Sequence, residues 1–252
     1  MKIISETEIE TSWMSTLSHP NLSGLSLHDL LELLYKLQCK RLEEISRKLK
    51  NMDSGMIYML GKAKNHVVGI AEKAYRPDRF PFVPVIPRGN LITFYEIIQA
   101  SSSEEDPWIP SMGLKWLNDL KAYKSHHIFP YIIFNINPGE DTLGLCPRDG
   151  REKIKARNGT PLSFAQGLAV RAHMEMFKTR PFHACASAFD GSGQAVPGFK
   201  NSPDGTMSRT DSDRARPGWV CPSFGSSTAA ISWHGVISPK SYIRPPLKKI
   251  EG

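Results

Sequence analysis

Apolar positions along the chain change period several times, and each change marks an element. Ile9, Trp13 and Leu17 recur every four residues and predict a short helix over 5–18, ended by Pro20 and Gly24. Leu27, Leu30, Leu31, Leu34, Gln38, Leu42, Ile45 and Leu49 form a stripe that predicts a long helix over 27–50. Ser26 and Asp29 make its capping box, with Asp where Glu is usual. Lys36, Lys40, Arg41, Arg47, Lys48 and Lys50 crowd its second half, where cations suit the negative end of the helix dipole. Within residues 55–75, Met56–Leu60 reads as a strand and His66–Ala74 as the continuation of a helix. Pro81, Pro84 and Pro87 bar a central strand over 79–88, so an extended edge strand is expected there. Leu91 to Ile98 reads equally as helix or strand.

The second half is richer in β-formers. Tyr131-Ile132-Ile133-Phe134-Asn135-Ile136 predicts a strand, and turn residues 137–141 lead to a second one over 142–145, making a hairpin. Pro147 opens a helix that Asn158-Gly159 closes. Thr160 is expected to cap the next helix, which buries Leu162, Ala165, Leu168, Ala169, Ala172 and Met176. Strands are expected over 182–189 and 194–199, paired across Asp190-Gly191-Ser192-Gly193, and again over 219–224 and 228–237. Residues 101–107 read as a polar loop, 114–120 as a weak helix, and 200–218 as a long exposed loop.

Together these elements predict an α+β fold. N-terminal helices pack on a mixed or antiparallel sheet, with two further helices at about 147–176. The expected division is a helical flank over 1–54, an α+β domain over 55–237 and a loose basic tail over 238–252.

Composition changes this picture little. With 40% hydrophobic and 23% charged residues, a chain of 252 residues can bury its own core without disulfides or metal. No stretch is long and apolar enough to cross a membrane, and the N-terminus lacks the apolar core of a secretion signal. Cys39, Cys146, Cys185 and Cys221 are scattered and predict free thiols in a cytoplasmic protein. The net charge of +7 is compatible with weak, non-specific nucleic-acid binding, but no nucleic-acid motif accompanies it.

Several blocks resemble an uncharacterised bacterial family, domain of unknown function 5701. They are 82–87, 139–143, 154–162, 167–169, His173 and Pro217-Gly218-Trp219. The likeness spans roughly residues 60–230, is strongest over 139–176, and leaves 200–218 as an insertion. It implies one α+β domain and supplies no chemistry.

Candidate chemistry is sparse. His173-Met174-Glu175 has the His-x-Glu spacing of zinc deaminases, but the Pro-Cys-x-x-Cys that completes such a site is missing. His126 and His127, being adjacent, would face opposite ways in a strand. His183 and Cys185, two apart in an expected strand, share a face, and Cys221 and His234 lie in later strands. Trp219 follows a Pro-Gly turn, where its ring is placed to floor a ligand site beside Arg216. The candidate pocket is therefore His183, Cys185, Arg216, Trp219, Cys221 and His234. No cofactor or metal is implied. The reading is a cytoplasmic, non-catalytic binding or interaction protein with a small anionic ligand or a protein partner. The alternatives are a hydrolase or transferase using a Cys/His pair, and a protein that associates non-specifically with nucleic acid.

Overall fold

The computed structural model describes residues 25–49, 54–86, 93–102, 121–122, 130–188, 194–201, 207–225, 228–232 and 235–237. The predicted elements over 5–18 and 114–120 and the tail over 238–252 lie outside them.

Helix α1, Leu27–Lys48, follows the predicted stripe and buries Leu30, Leu31, Leu34, Tyr35, Leu37, Gln38 and Leu42. Each fully buried Leu adds about 1.5–3 kcal/mol to folding. The capping box is formed: the Ser26 hydroxyl accepts from the Asp29 amide and the Asp29 carboxylate accepts from the Ser26 amide. Helix α2, Ser54–Lys73, contains the helix expected over 66–74 and extends through 56–60, the segment expected to be a strand. Ala63, Val67, Val68 and Ala71 are its buried face, at helical spacing.

Strand β1, Phe80–Val85, is the edge of a sheet ordered β1-β3-β10-β11, where β3 is Tyr131–Ile136, β10 is Thr228–Ser232 and β11 is Gly235–Ile237. All pairings are antiparallel. The prolines explain why β1 is outermost. The β1–β3 register skips Pro81 and Asn135 but keeps Pro84 opposite Ile132. Asn135 there adopts a left-handed φ of 54°. The edge is nevertheless covered, because the Gln38 side chain of α1 donates to the Phe82 carbonyl at 2.8 Å.

Helix α3, Phe94–Ser101, decides the ambiguous segment 91–98. Thr93 and Glu96 form a capping box, a start signal present in the sequence. The expected hairpin after β3 does not form. Glu140–Thr142 is a short 3-10 turn, and β3 pairs with β1 and β10 instead. Helix α4, Pro147–Ala156, stands where expected. Thr160 does not cap the next helix: Thr160–Pro161 is strand β4, paired with β9, Ser223–Phe224. Ser163 is the N-cap of α5, Phe164–His173, and Gln166 completes its box. A short helix α6, Met176–Thr179, follows. Buried Arg171 ties the two by donating to the carbonyls of Phe177 and Lys178 at 2.9 and 3.0 Å.

The expected strand 182–189 is broken. Phe182–His183 is β5 and Ser187–Ala188 is β6, with a turn between them; β6 pairs with β2, Lys121–Ala122. Strand β7, Ala195–Phe199, does pair with β5, and β8, Met207–Asp211, adds a third strand inside the segment expected to be an exposed loop. Residues 219–222 are not a regular strand, because loop and neighbouring backbone claim their polar groups. Gly144 donates to the Trp219 carbonyl at 2.8 Å and His183 to the Val220 carbonyl at 2.9 Å. One apolar cluster runs from Leu30 through β1, β3 and α5 to Phe224, so the N-terminal helices share the core of the sheet.

Candidate functional site

The β5-β7-β8 sheet has two unlike faces, because successive side chains alternate. Phe182 and Phe199 point into the core, with ring centroids 4.6 Å apart and planes 9° apart, and Phe164 stacks on Phe199 at 5.5 Å. His183 and Gly198 are cross-strand partners, as are Gly198 and Ser208, which puts all three in one row on the opposite face. Thr210 lies two residues beyond Ser208 on the same face.

Trp219 covers this row. A Cβ on Gly198 would lie 2.6 Å from a Trp219 ring carbon and 2.9 Å from the Thr210 hydroxyl, so only glycine leaves room for the indole. His183 stacks under the indole, with centroids 4.5 Å apart and an interplanar angle of 25°. The Arg216 guanidinium sits over the indole, 4.9 Å from its centroid. Local sequence builds this arrangement. Arg216-Pro217-Gly218-Trp219 closes a turn in which the Trp219 amide donates to the Arg216 carbonyl at 3.2 Å. Pro in second place and Gly218 at φ 79° in third are what a type II turn requires. The turn returns residue 216 over residue 219.

His183 and Arg216 both pack on Trp219, which is only 9% exposed. Beneath it, both ring nitrogens of His183 and the hydroxyls of Thr210 and Ser212 are buried without a protein hydrogen-bond partner. Burial, then the charge of Arg216, holds His183 down to about 3, so its ring is neutral at physiological pH. Burial and the neighbouring Arg214 lower the Arg216 pKa as well. Among the described residues, nothing accepts a hydrogen bond from the Arg216 guanidinium.

Cys185 and Cys221 occupy a different place. The strand breaks at Ala184, so the expectation that His183 and Cys185 share a strand face does not apply. The Cys185 thiol points to the His183 carbonyl at 3.6 Å and packs with Cys221 and Ile154. Gly150 of α4 makes room for Cys221, whose sulfur would be 2.5 Å from a Cβ there. Burial, then the Cys221 thiol, raises the Cys185 pKa well above its usual value. The structure thus brings His183, Arg216 and Trp219 together and groups Cys185 with Cys221. His234 lies outside the described residues, as do His126 and His127.

Neither half of His173-Met174-Glu175 serves the other. His173 ends α5, is buried and is held down to about 3 by burial and then Arg41, whereas Glu175 is exposed and pairs with Lys178 at 2.6 Å. His173 lines a depression of about 260 Å³, part of it open solvent, with Leu42, Ile45, Pro84, Ile97 and Leu168. Among the described residues, no three His, Cys, Asp or Glu side chains are placed to hold a metal ion. No described helix is long and apolar enough to cross a membrane.

Residues that sequence reasoning missed knit the site to the rest of the fold. Thr142 donates to the Gly139 carbonyl at 2.6 Å and accepts from the Cys221 amide at 2.8 Å. Arg180 grips Glu140, and Arg157 grips Asp141 and the Ser223 hydroxyl. Turn chemistry at Asn137-Pro138-Gly139 was the visible signal, but its partners are distant in sequence. The fold is α+β. Comparison with known protein families, curated proteins and solved structures finds no match.

Proposed function

We propose that this is a non-catalytic binding protein of the cytoplasm that recognises a small anionic ligand through Arg216, held on Trp219. One observation carries the reading: a guanidinium fixed over an indole by a type II turn, with its donors unclaimed among the described residues. An arginine held in this way has less rotamer freedom to lose when an anion binds. Arg214 beside it adds positive potential. The Cys/His alternative gains no support from the described geometry, because both thiols are buried, the Cys185 pKa is raised, and the Cys185 thiol points to the His183 carbonyl and not to its ring. Kinship with domain of unknown function 5701 belongs to the same proposal.

Tryptophan fluorescence tests it. Small anions such as carboxylates and phosphate esters, titrated into the protein, should change the emission, and R216Q should abolish the change while leaving the circular dichroism spectrum intact. A change that persists in R216Q rules the reading out.

A further inference from the structure

We propose a second, separate anion site that takes a phosphate-type dianion, at the corner where Arg76, Arg79 and Arg157 meet. The chain brings them together by three steps. The Arg79 amide donates to the Arg76 carbonyl at 3.1 Å, so the Arg76-Pro77-Asp78-Arg79 turn folds one arginine back beside the other. Phe80, next in the chain, pairs with Ile136, and Asn137 then pairs with Ser223. The Ser223 hydroxyl accepts from Arg157 at 2.8 Å. The end of β1 and the end of α4 thus share one corner.

Arg79 is the informative residue. Its side chain is only 15% exposed, yet its Nε is buried without a hydrogen-bond partner among the described residues. Its contact with the Asp78 carboxylate is long, at 3.8 Å, and Asp78 is itself largely exposed. Asp141, the other nearby carboxylate, is already held by Arg157, and its carbonyl accepts from Lys153 at 2.6 Å. The charges acting on Arg79 are Arg76 and Arg157 against Asp78 and Asp141, and Lys153 reaches the Asp141 carbonyl, so four cations less two carboxylates leave two positive charges uncompensated. Glu140 and Arg180 cancel each other alongside. A partly buried guanidinium with free donors, among like charges, is costly unless an anion completes it. A phosphate or phosphate monoester matches in charge, and its tetrahedral oxygens suit a guanidinium fork.

The test uses the full chain and inorganic phosphate, with sodium chloride at matched ionic strength. Millimolar phosphate should raise the melting temperature of the wild type above the chloride control. R79M, made in the R216Q background so that the Trp219 site takes no anion, should melt no lower than R216Q in chloride, because it removes an uncompensated charge, and should gain nothing from phosphate. R76Q alters an exposed side chain and so keeps the test open should R79M not fold; it should weaken phosphate binding about tenfold, the worth of one charge-assisted hydrogen bond. R216Q should bind phosphate at this corner like wild type, which separates this site from the one at Trp219. O-phosphoserine in place of inorganic phosphate asks whether the group is taken free or as an ester. Equal melting in phosphate and chloride, or unchanged phosphate binding in R79M or R76Q, overturns the proposal.

Discussion

The imidazole of His183 lies 4.5 Å beneath the indole of Trp219, with the two planes 25° apart. The residues are far apart in sequence, and what lets them meet is a missing side chain. Gly198, between them on β7, leaves the slot that the indole fills.

Gly198→Ala should therefore destabilise the protein by about 1–3 kcal/mol, the usual cost of overpacking a filled site. Urea denaturation followed by circular dichroism reads this. Gly69→Ala is the contrasting case. A Cβ at Gly69 in α2 meets nothing within 4 Å, so the change should stabilise by about 0.5–1 kcal/mol through helix propensity. Equal effects of the two substitutions would contradict the packing at Gly198.

Thr142→Val keeps shape but strips the hydroxyl that serves the Gly139 carbonyl and the Cys221 amide. The buried Cys221 amide loses its partner, and the Gly139 carbonyl keeps only the Thr142 amide. The expected loss is about 1–3 kcal/mol, and Thr142→Ser should recover most of it. If valine is tolerated as well as serine, the 139–142 turn is not what anchors residue 221.

Stability should fall as pH drops below 6.5. Both His173 and His183 move from 6.5 unfolded to about 3 folded, with burial the main cause. Between those values the unfolded chain binds two protons that the folded chain refuses, so acid favours unfolding. The lowered carboxylates, among them Glu32 and Glu140, have an ordinary value of 4.5, so the range from 6.5 down to 4.5 reports mainly on the histidines. There each histidine contributes a slope of up to about 1.4 kcal/mol per pH unit. Urea midpoints measured across this range should flatten by roughly half of that two-proton slope in His183→Gln. A slope untouched in the His173, His183 double variant refutes the burial of both rings.

The four thiols should be free but slow to react. Burial pushes Cys39 up to about 11 and raises Cys146 and Cys185 as well. Ellman titration of the native protein should be slow, and after unfolding it should find all four cysteines. A fast-reacting thiol in the native state would restore the nucleophile alternative.

Sequence alone determined the elements whose signals are local. The α1 stripe and its Ser26–Asp29 box, the apolar run of β3, Pro147 at the start of α4 and the prolines that make β1 an edge are all readable within a few residues. Those signals act through the chain's own backbone, so no distant partner is needed to interpret them. Tertiary structure decided the rest. Residues 142–145 had strand-like character, yet β3 found stronger partners in β1 and β10, and Thr142 turned to Cys221 instead. Thr160 looked like a cap, but pairing with β9 drew it into a strand and left Ser163 to start α5. At the candidate site, the Pro217-Gly218 turn was legible and the stack over Gly198 was not. A turn is set by the φ of two adjacent residues, whereas a stack requires β5, β7 and the 216–219 turn to arrive at one place. Only packing of the whole chain does that, and the same packing sets the Cys185 and Cys221 thiols together against Ile154.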